Sequence, residues 1–584
     1  MNNSKEILHA ECLNRISQSF LKNIEKPLGE NTLLLEYTRI DYSKIKKILI
    51  IQFTAFGDAV ITSNLTDILK KYFHVSILVL DSYSEVFEGM EKITIANAIL
   101  TSGNAQLIIE NFNNLANRIN NEKFDLIINL HPSLYSAYFC NLLDRKFFLG
   151  QIFDFNSNFI KAYSDYSYYY RFFGEYFRQL IKGSRVKSHL PLQDIYFFLS
   201  QVPLDFFKQQ NLAALELECL KKKQIVITPG GKWKSKLWPQ NNFICLIDEI
   251  LKYSSDIKIL ITGDASEKQL IENIYNGCAD KSKIEIFSGT LSISNLISTI
   301  RESALLISGD TSVLHIAANV STPAIILISS TITCPAGNSI VIFADAECSG
   351  CLKPECSSGK NCITKIQPLT VFYFAKLFID NNFVFEKTIR DVNEKYDFKH
   401  KIFYSRKRKN FINFLKPLAQ KTEINKNTVF DAVYFCAVYS LLVCFEHNDE
   451  ETMKKSAEEI NAILSDYYNF TDNGDKEYVK NLFDSILSEI SDIYDKLNFL
   501  LKESIRVKEN NSDKIFQLSD EFEKSFSNSK IYKLILKPFD VIMFEPPEVN
   551  TEIKYLLKKF KQSIAAKKQF AEILKKLFWK RGEL

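Results

Sequence analysis

Glycine and proline are scarce, with 18 Gly and 14 Pro in 584 residues. That excludes collagen-like and linker-rich chains and favours long regular elements. An excess of either charge is missing too. Lys and Arg number 73 against 69 Asp and Glu, a formal net charge of +4. A histone-like protein and an acidic-tail protein are therefore excluded, and the overall charge names no partner. No run of about 18 uncharged apolar residues occurs, so no membrane span is expected. The nearest, VFDAVYFCAVYSLLVCF at 429–445, contains Asp431 and reads as a buried helix. The first residues, MNNSKEILHAECL, lack a continuous apolar segment and carry acids where a leader carries bases, so a cytoplasmic address is expected. Twelve cysteines in 584 residues do not make a disulfide scaffold. Gly-x-Gly-x-x-Gly and the Walker pattern are absent, which disfavours a dehydrogenase and a P-loop ATPase.

What is present is ordinary globular material, 46% hydrophobic and 24% charged. The length predicts about three or four domains. Residues 1–44 read as a short helical extension broken at Pro27 and Gly29. From 46 onward, short apolar runs alternate with helical stretches: KKILIIQF (46–53), HVSILVLD (74–81), FDLIINLH (124–131) and KFFLGQI (146–152). A second series begins at 224 with QIVITPGG and continues through IKILITGD (257–264), KIEIFSG (283–289), ALLISGD (304–310), AIILIS (324–329) and IVIFA (340–344). These runs are apolar throughout, as strands of parallel sheets covered on both faces are. Two consecutive doubly wound α/β domains are expected, 45–215 and 216–385. Ligands of such sheets bind beyond the carboxyl ends of the strands. With two sheets, the cleft between them is the expected site. Beyond 385 the strand pattern fades, and 386–584 reads as an all-α accessory domain.

Four strand-to-helix turns carry chemistry. In QFTAFGDAVITSNL (52–65), Gly57 and Asp58 open a helix; the carboxylate either caps that helix or projects into the cleft. In TPGGKWKSKLWP (228–239), Gly230 and Gly231 precede Lys232, Lys234 and Lys236. Glycines let amides approach a diphosphate and an ammonium neutralises it, although an ordinary basic loop has the same composition. In ISGDTSVLHIAAN (307–319), Asp310, Thr311 and Ser312 begin a helix whose N–H groups and hydroxyls suit an anion. His315 lies one turn in; a lone helical His is more often structural than functional. In ITGDASEKQLIE (261–272), Asp264 and Glu267 are placed to take ribose hydroxyls, or Asp264 or Ser266 caps the helix.

In this order and spacing the four segments resemble glycosyltransferase family 9, the lipopolysaccharide heptosyltransferase family, over roughly 45–385. The resemblance implies the GT-B architecture, two Rossmann-like domains facing across a cleft. It implies inverting, metal-independent transfer of a sugar, typically heptose from an ADP-linked donor, to a lipopolysaccharide-type glycan. Two alternatives stand beside it: a protein O-glycosyltransferase, and an inactive nucleotide-sugar-binding scaffold. By resemblance Asp58 is the catalytic base beside Gly57, and Lys236 contacts the donor phosphates. Asp310, Thr311 and Ser312 match the helix start that holds the diphosphate, with Ser312 where the family often has Gly. His315 matches the family histidine. Glu267, or next Asp264, matches the acid at the donor nucleoside. His131, at the end of a strand in NLHPS, is expected on the acceptor side.

Cys348, Cys351, Cys356 and Cys362 form Cys-x2-Cys-x4-Cys-x5-Cys in a loop, 348–362. A structural zinc or iron ion suits four thiolates at this spacing; disulfides and reduced thiols remain alternatives. No cofactor is expected for catalysis. The basic segments KHKIFYSRKRKN (399–410) and 551–584 suit contact with an anionic membrane, peripherally at the inner membrane; a solvated basic face is the plainer reading. Nucleic acid is the disfavoured rival partner, and a homo-oligomer is a further expectation for the helical region.

Overall fold

In the computed structural model the described residues are 33–37, 40–53, 55–102, 104–131, 133–154, 159–164, 192–202, 206, 223–331, 335–344, 351, 353–356, 361–392, 401–406, 416–418 and 492. The strands are β1 (Leu33–Tyr37), β2 (Lys47–Gln52), β3 (His74–Leu80), β4 (Glu91–Ile95), β5 (Leu126–Asn129), β6 (Phe147–Asp154), β7 (Phe159–Ser164), β8 (Gln224–Thr228), β9 (Lys258–Gly263), β10 (Ile284–Ser288), β11 (Leu305–Gly309), β12 (Ala324–Ile328), β13 (Ser339–Phe343), β14 (Lys401–Ser405) and β15 (Lys416–Pro417). The helices are α1 (Phe56–Leu69), α2 (Asn97–Leu100), α3 (Ala105–Glu122), α4 (Leu134–Phe139), α5 (Leu192–Leu199), α6 (Gln240–Tyr253), α7 (Lys268–Gly277), α8 (Ile293–Arg301), α9 (Val313–Val320), α10 (Pro368–Asp380) and α11 (Phe385–Arg390).

The described residues fall into two compact units, those within 1–44, 105–186 and 424–584, and those within 45–104 and 187–423. The strands belong to a seven-stranded and an eight-stranded sheet. In the first unit β1, β7, β6 and β5 are neighbours in that order; β5 and β6 run parallel, while β6 and β7 run antiparallel. In the second unit β2, β3 and β4 are parallel neighbours. That unit also holds the whole eight-stranded sheet, ordered β10-β9-β8-β11-β12-β13-β14-β15. It is parallel from β10 to β13, and β14 and β15 join it antiparallel. These are the two Rossmann-like α/β sheets expected from the alternating pattern.

The sheet strands are built from the apolar runs. Every residue of β11, β12 and β13 is buried, as strands covered on both faces must be. Helix α6 buries Phe243, Leu246, Ile247, Ile250 and Leu251, the spacing of one helical stripe. Pro368 starts α10 at a position whose N–H would have no helical partner anyway.

Two expectations are corrected. The supposed helical extension 1–44 contributes a strand: β1, LLLEY, pairs in parallel with β7. Pairing at a sheet edge overrides the helix preference of leucine. The sheet also does not end near 385. Within the stretch read as all-helical and basic, IFY of β14 inserts against β13, with Ile402, Phe403 and Tyr404 buried. The apolar core of KIFYS is only three consecutive residues, and flanking lysines and arginines hid it. Arg406 at its end pairs with Glu386 at 2.8 Å. The remaining helical expectations for 386–584, including the basic stretch 551–584, lie outside the described residues. Among the described residues no helix is long and apolar enough to cross a membrane.

Candidate active site

Three of the four motifs meet at one sheet edge. Strands β9, β8 and β11 are consecutive neighbours and parallel. Their carboxyl ends therefore bring Asp264 and Glu267, Gly230 and Lys236, and Asp310 to Ser312 side by side, where such sheets bind ligands.

The fold distinguishes the three lysines. Lys232 and Lys234 are exposed, and Lys234 pairs outward with Glu355 at 2.9 Å. Lys236 turns inward, and its side chain is 13% exposed. Its ammonium donates to Asp310 Oδ2 at 2.8 Å and to the Asp310 carbonyl at 3.2 Å. It lies 4.8 Å from the centre of the Trp233 ring. An ammonium has three hydrogens, so one N–H is left for a ligand oxygen. The Thr331 hydroxyl also donates to Asp310 Oδ2. The Asp310 carboxylate is thus occupied in neutralising and aiming the lysine.

The groups that follow Asp310 present hydroxyls and helix-start N–H groups. Thr228 Oγ1 donates to Ser308 Oγ at 2.6 Å, and Ser308 Oγ lies 3.2 Å from Thr311 Oγ1. The three hydroxyls thus form a chain running from β8 to the start of α9. Ser312 is the N-cap of α9 without a side-chain cap bond. His315 N–H reaches the Ser312 carbonyl at 3.1 Å and Leu314 N–H the Thr311 carbonyl at 3.2 Å. The N–H groups of Ser312 and Val313 find no acceptor among the described residues. They are the unsatisfied donors of a helix start. His315 is held neutral, its pKa pushed down to about 4 by burial and by Lys236, against the opposing pull of Asp310.

Glu267 is a structural part of the glycine loop. Its Oε2 accepts the Asp264 N–H at 3.0 Å, and the carboxylate also accepts from Gly231 N–H. A side chain at Gly230 would sit 1.9 Å from the Glu267 carboxyl carbon, so only glycine admits this acid. Burial and the nearby Asp264 raise its pKa. A carboxylate has about four acceptor sites, so capacity remains for a ribose hydroxyl. Asp264 is exposed and caps the turn, accepting from Ser266 N–H at 2.8 Å and from the Ser266 hydroxyl. The capping alternative is what its side chain does.

The fourth motif packs on the third within the same unit. Helix α1 begins after Ala55, which is the N-cap with φ 51 and no side-chain cap bond. Asp58 is the third residue of α1, inside its first turn and half-buried. It does not occupy the N-cap. A Cβ at Gly57 would lie 3.2 Å from Ser312 Oγ and 3.5 Å from His315 Cδ2. The Gly57–Asp58 turn therefore sits directly against the start of α9. Asn319 fixes this approach by donating to the Val60 carbonyl at 2.7 Å and lying 3.1 Å from Ser63 Oγ; Asn64 donates back to Asn319 Oδ1 and to Gln193 at 2.8 Å.

His131 belongs to the other unit. It is buried, its N–H donates to Asn129 Oδ1 at 3.1 Å, and its carbonyl accepts from Ser136 at 2.6 Å. Burial pushes its pKa down to about 3. Of the cysteines, Cys351 is exposed, Cys356 half-buried and Cys362 buried, while Cys348 lies outside the described residues. Among the described residues no three His, Cys, Asp or Glu side chains are grouped to hold a metal ion.

Sequence reasoning missed Trp233, Thr331 and Asn319. Trp233 had a signal, since an aromatic three residues before a site lysine can cover its charge. Thr331 and Asn319 had none, because their partners are 21 and 255 or more residues away.

These features define a class: an α/β protein whose strand ends gather a lysine, a helix start and acids at one edge of the sheet. Residues 112–361 match the family model of Glycosyltransferase family 9 (heptosyltransferase). Over that stretch, which is less than half of the chain, the protein carries a glycosyltransferase domain similar to that family's. The matched stretch contains Lys236, Glu267 and the start of α9, while Asp58 lies before it. Solved structures that it resembles include the glycosyl transferase family 9 protein from Veillonella parvula, at 16% identity and TM-score 0.45, covering 59% of this chain and 100% of that one. Another is the E. coli heptosyltransferase WaaC with ADP, at 15% identity and TM-score 0.39, covering 58% and 99%. The E. coli ADP-heptose lps heptosyltransferase II matches at 14% identity and TM-score 0.39, covering 58% and 99%. No curated protein matches the sequence.

Proposed function

We propose that this chain performs an inverting, metal-independent transfer of a sugar, heptose from ADP-heptose, to a lipopolysaccharide-type glycan. Residues 45–215 serve as the acceptor domain and 216–385 as the donor domain. Asp58 takes the proton of the acceptor hydroxyl while that oxygen attacks the anomeric carbon. The bond from that carbon to the diphosphate oxygen breaks, and the nucleoside diphosphate leaves with the electron pair. Lys236, the Thr311 hydroxyl and the N–H groups of Ser312 and Val313 stabilise the charge that grows on it. Glu267 accepts from the ribose.

The observation that carries this reading is the meeting of inward-turned Lys236 with the α9 start, against which the Gly57–Asp58 turn packs. The test is calorimetric titration of the full chain with ADP, UDP, GDP and CMP, repeated with Lys236→Ala. ADP binds most tightly, and the substitution weakens it at least tenfold, in line with loss of one charge-assisted contact. Preference for UDP or GDP replaces the donor, and binding of none of the four removes the donor-site reading.

A further inference from the structure

Lys236 is anchored through its chain neighbours to the segment bracketed by Cys351 and Cys362. Ser235 is 2% exposed. Its N–H donates to the Pro354 carbonyl at 3.0 Å, and its hydroxyl donates to the Lys353 carbonyl at 2.7 Å. A serine hydroxyl has one hydrogen, so Ser330 is the donor in the 2.8 Å contact between Ser235 Oγ and Ser330 Oγ. The Ser235 carbonyl accepts from Ser329 at 2.7 Å. Every polar group of this residue is used, two on the cysteine-bracketed segment and two on the turn after β12. Lys234 repeats the link: its carbonyl accepts from Asn361 Nδ2 at 2.9 Å and its ammonium meets Glu355 at 2.9 Å.

The same turn after β12 supplies Thr331, whose hydroxyl reaches Asp310. Residues 329–331 thus hold both sides of the Lys236–Asp310 pair, Ser235 through Ser329 and Ser330, and Asp310 through Thr331. The cysteine-bracketed segment closes this arrangement from outside by fixing the backbone immediately before Lys236. A shift of the backbone at Ser235 moves the base of the Lys236 side chain and misaligns its remaining N–H.

We propose that Ser235 is a positioning residue for Lys236, and that Lys353 and Pro354 at Ser235, with Glu355 and Asn361 at Lys234, set the diphosphate affinity of the donor site by holding the backbone before Lys236. This rests on the reading of Lys236 as a phosphate contact. The test measures ADP and adenosine affinity of the full chain for wild type, Ser235→Ala, Ser235→Thr, Asn361→Ala, Lys236→Ala and the Ser235→Ala/Lys236→Ala double variant. Ser235→Ala weakens ADP about tenfold, a loss on the scale of one buried hydrogen bond, and leaves adenosine unchanged. Ser235→Thr restores part of the loss, and Asn361→Ala gives a smaller loss in the same direction. The double variant binds ADP no more weakly than Lys236→Ala alone, because two residues acting through one contact are not additive.

If Lys236→Ala itself leaves ADP affinity intact, the donor-site reading falls. If Lys236→Ala weakens ADP while Ser235→Ala and Asn361→Ala do not, the positioning role falls and the donor site stands. An equal loss for adenosine, or full additivity in the double variant, also overturns it. Should Ser235→Ala fail to fold, Asn361→Ala decides by the same comparison.

Discussion

Gly230→Ala tests whether the glycine loop exists to admit Glu267. The added Cβ would lie 1.9 Å from both Cδ and Oε1 of Glu267 and 2.3 Å from Oε2. Ordinary contact is about 3.5 to 4.0 Å, so the carboxylate must leave. It is the far end of a flexible side chain, so the backbone need not follow. What is lost is its pair of N–H···O bonds, from Asp264 and Gly231. Charge-assisted bonds are worth roughly 1.5–3 kcal/mol each. Burial already disfavours this carboxylate, as its raised pKa shows, so its return to water offsets part of the loss. A net destabilisation of about 1–2 kcal/mol is expected, read by chemical denaturation. The ligand effect is larger. With the acid gone from the nucleoside side, ADP affinity falls about tenfold to a hundredfold. The deciding assay is the cycle with Glu267→Ala: in that background Gly230→Ala costs no ADP affinity. An equal cost in both backgrounds refutes the reasoning, because the diphosphate would then need the bare glycine itself. Unchanged ADP affinity for Gly230→Ala in the wild-type background removes Glu267 from the nucleoside site.

Asp58→Asn is expected to lower kcat at least about a hundredfold with little change in ADP affinity, since a general base acts on the acceptor rather than the donor; steady-state kinetics with separate donor titration checks this, and a loss confined to ADP binding would reassign the residue. Gly57→Ala places a methyl 3.2 Å from Ser312 Oγ and should slow transfer, with Ser312→Gly restoring it in the double variant; no rescue would mean that the turn needs glycine for another reason. Asp310→Asn leaves Lys236 buried beside a neutral partner and should destabilise the fold by about 3–5 kcal/mol, as breaking a buried pair does. The double variant Lys236→Met/Asp310→Asn should cost less than the two single changes together, by denaturation. Folded His315 stays neutral down to about 4, against an ordinary histidine value of 6.5, so between those values the unfolded chain binds more protons and stability falls as pH is lowered. His315→Gln should reduce the loss between pH 7 and 5 by up to about 2 kcal/mol, and an unchanged pH slope would show that burial of this ring is not what sets it.

The sheets were legible because their central strands are continuous apolar runs. ALLISGD, AIILIS and IVIFA have no other stable use than burial on both faces, and they became β11, β12 and β13. The missed strands are the ones with a wet side or a charged flank. β4, EKITI, exposes Glu91, Lys92 and Thr94 and buries only Ile93 and Ile95. In β14 the buried IFY is framed by basic residues. Edge and closing strands carry solvent-facing residues that blur the run, so their pairing is decided by the sheet they join. In the site, each strand-end turn announced itself through Gly-Asp or Pro-Gly-Gly, but the partners did not. Three lysines within five positions are equivalent in sequence, and only the 3-10 turn at Lys234–Lys236, pinned through Ser235, turns one of them inward.

The same distinction settles how Asp310 and Asp58, both in Gly-Asp turns, differ physically. Asp310 is 9% exposed at its side chain and lies against Lys236. On the proposed donor-site reading, a carboxylate there would repel a diphosphate unless a cation compensated it, so its contribution would be to hold Lys236 charged and aimed while backbone N–H groups face the anion. Asp58 follows a helix start displaced one way from what its sequence suggests. With Ala55 as N-cap at φ 51, the helix begins two residues before Asp58 and the carboxylate falls at the third position. A non-glycine residue at positive φ costs about 1–2 kcal/mol. That strain sets the helix start at Phe56, which lets Gly57 meet Ser312 and places Asp58 in the first turn beside it. A cap at Asp58 would satisfy the local helix more cheaply, but it would move the close-approach glycine out of the helix and away from the α9 start.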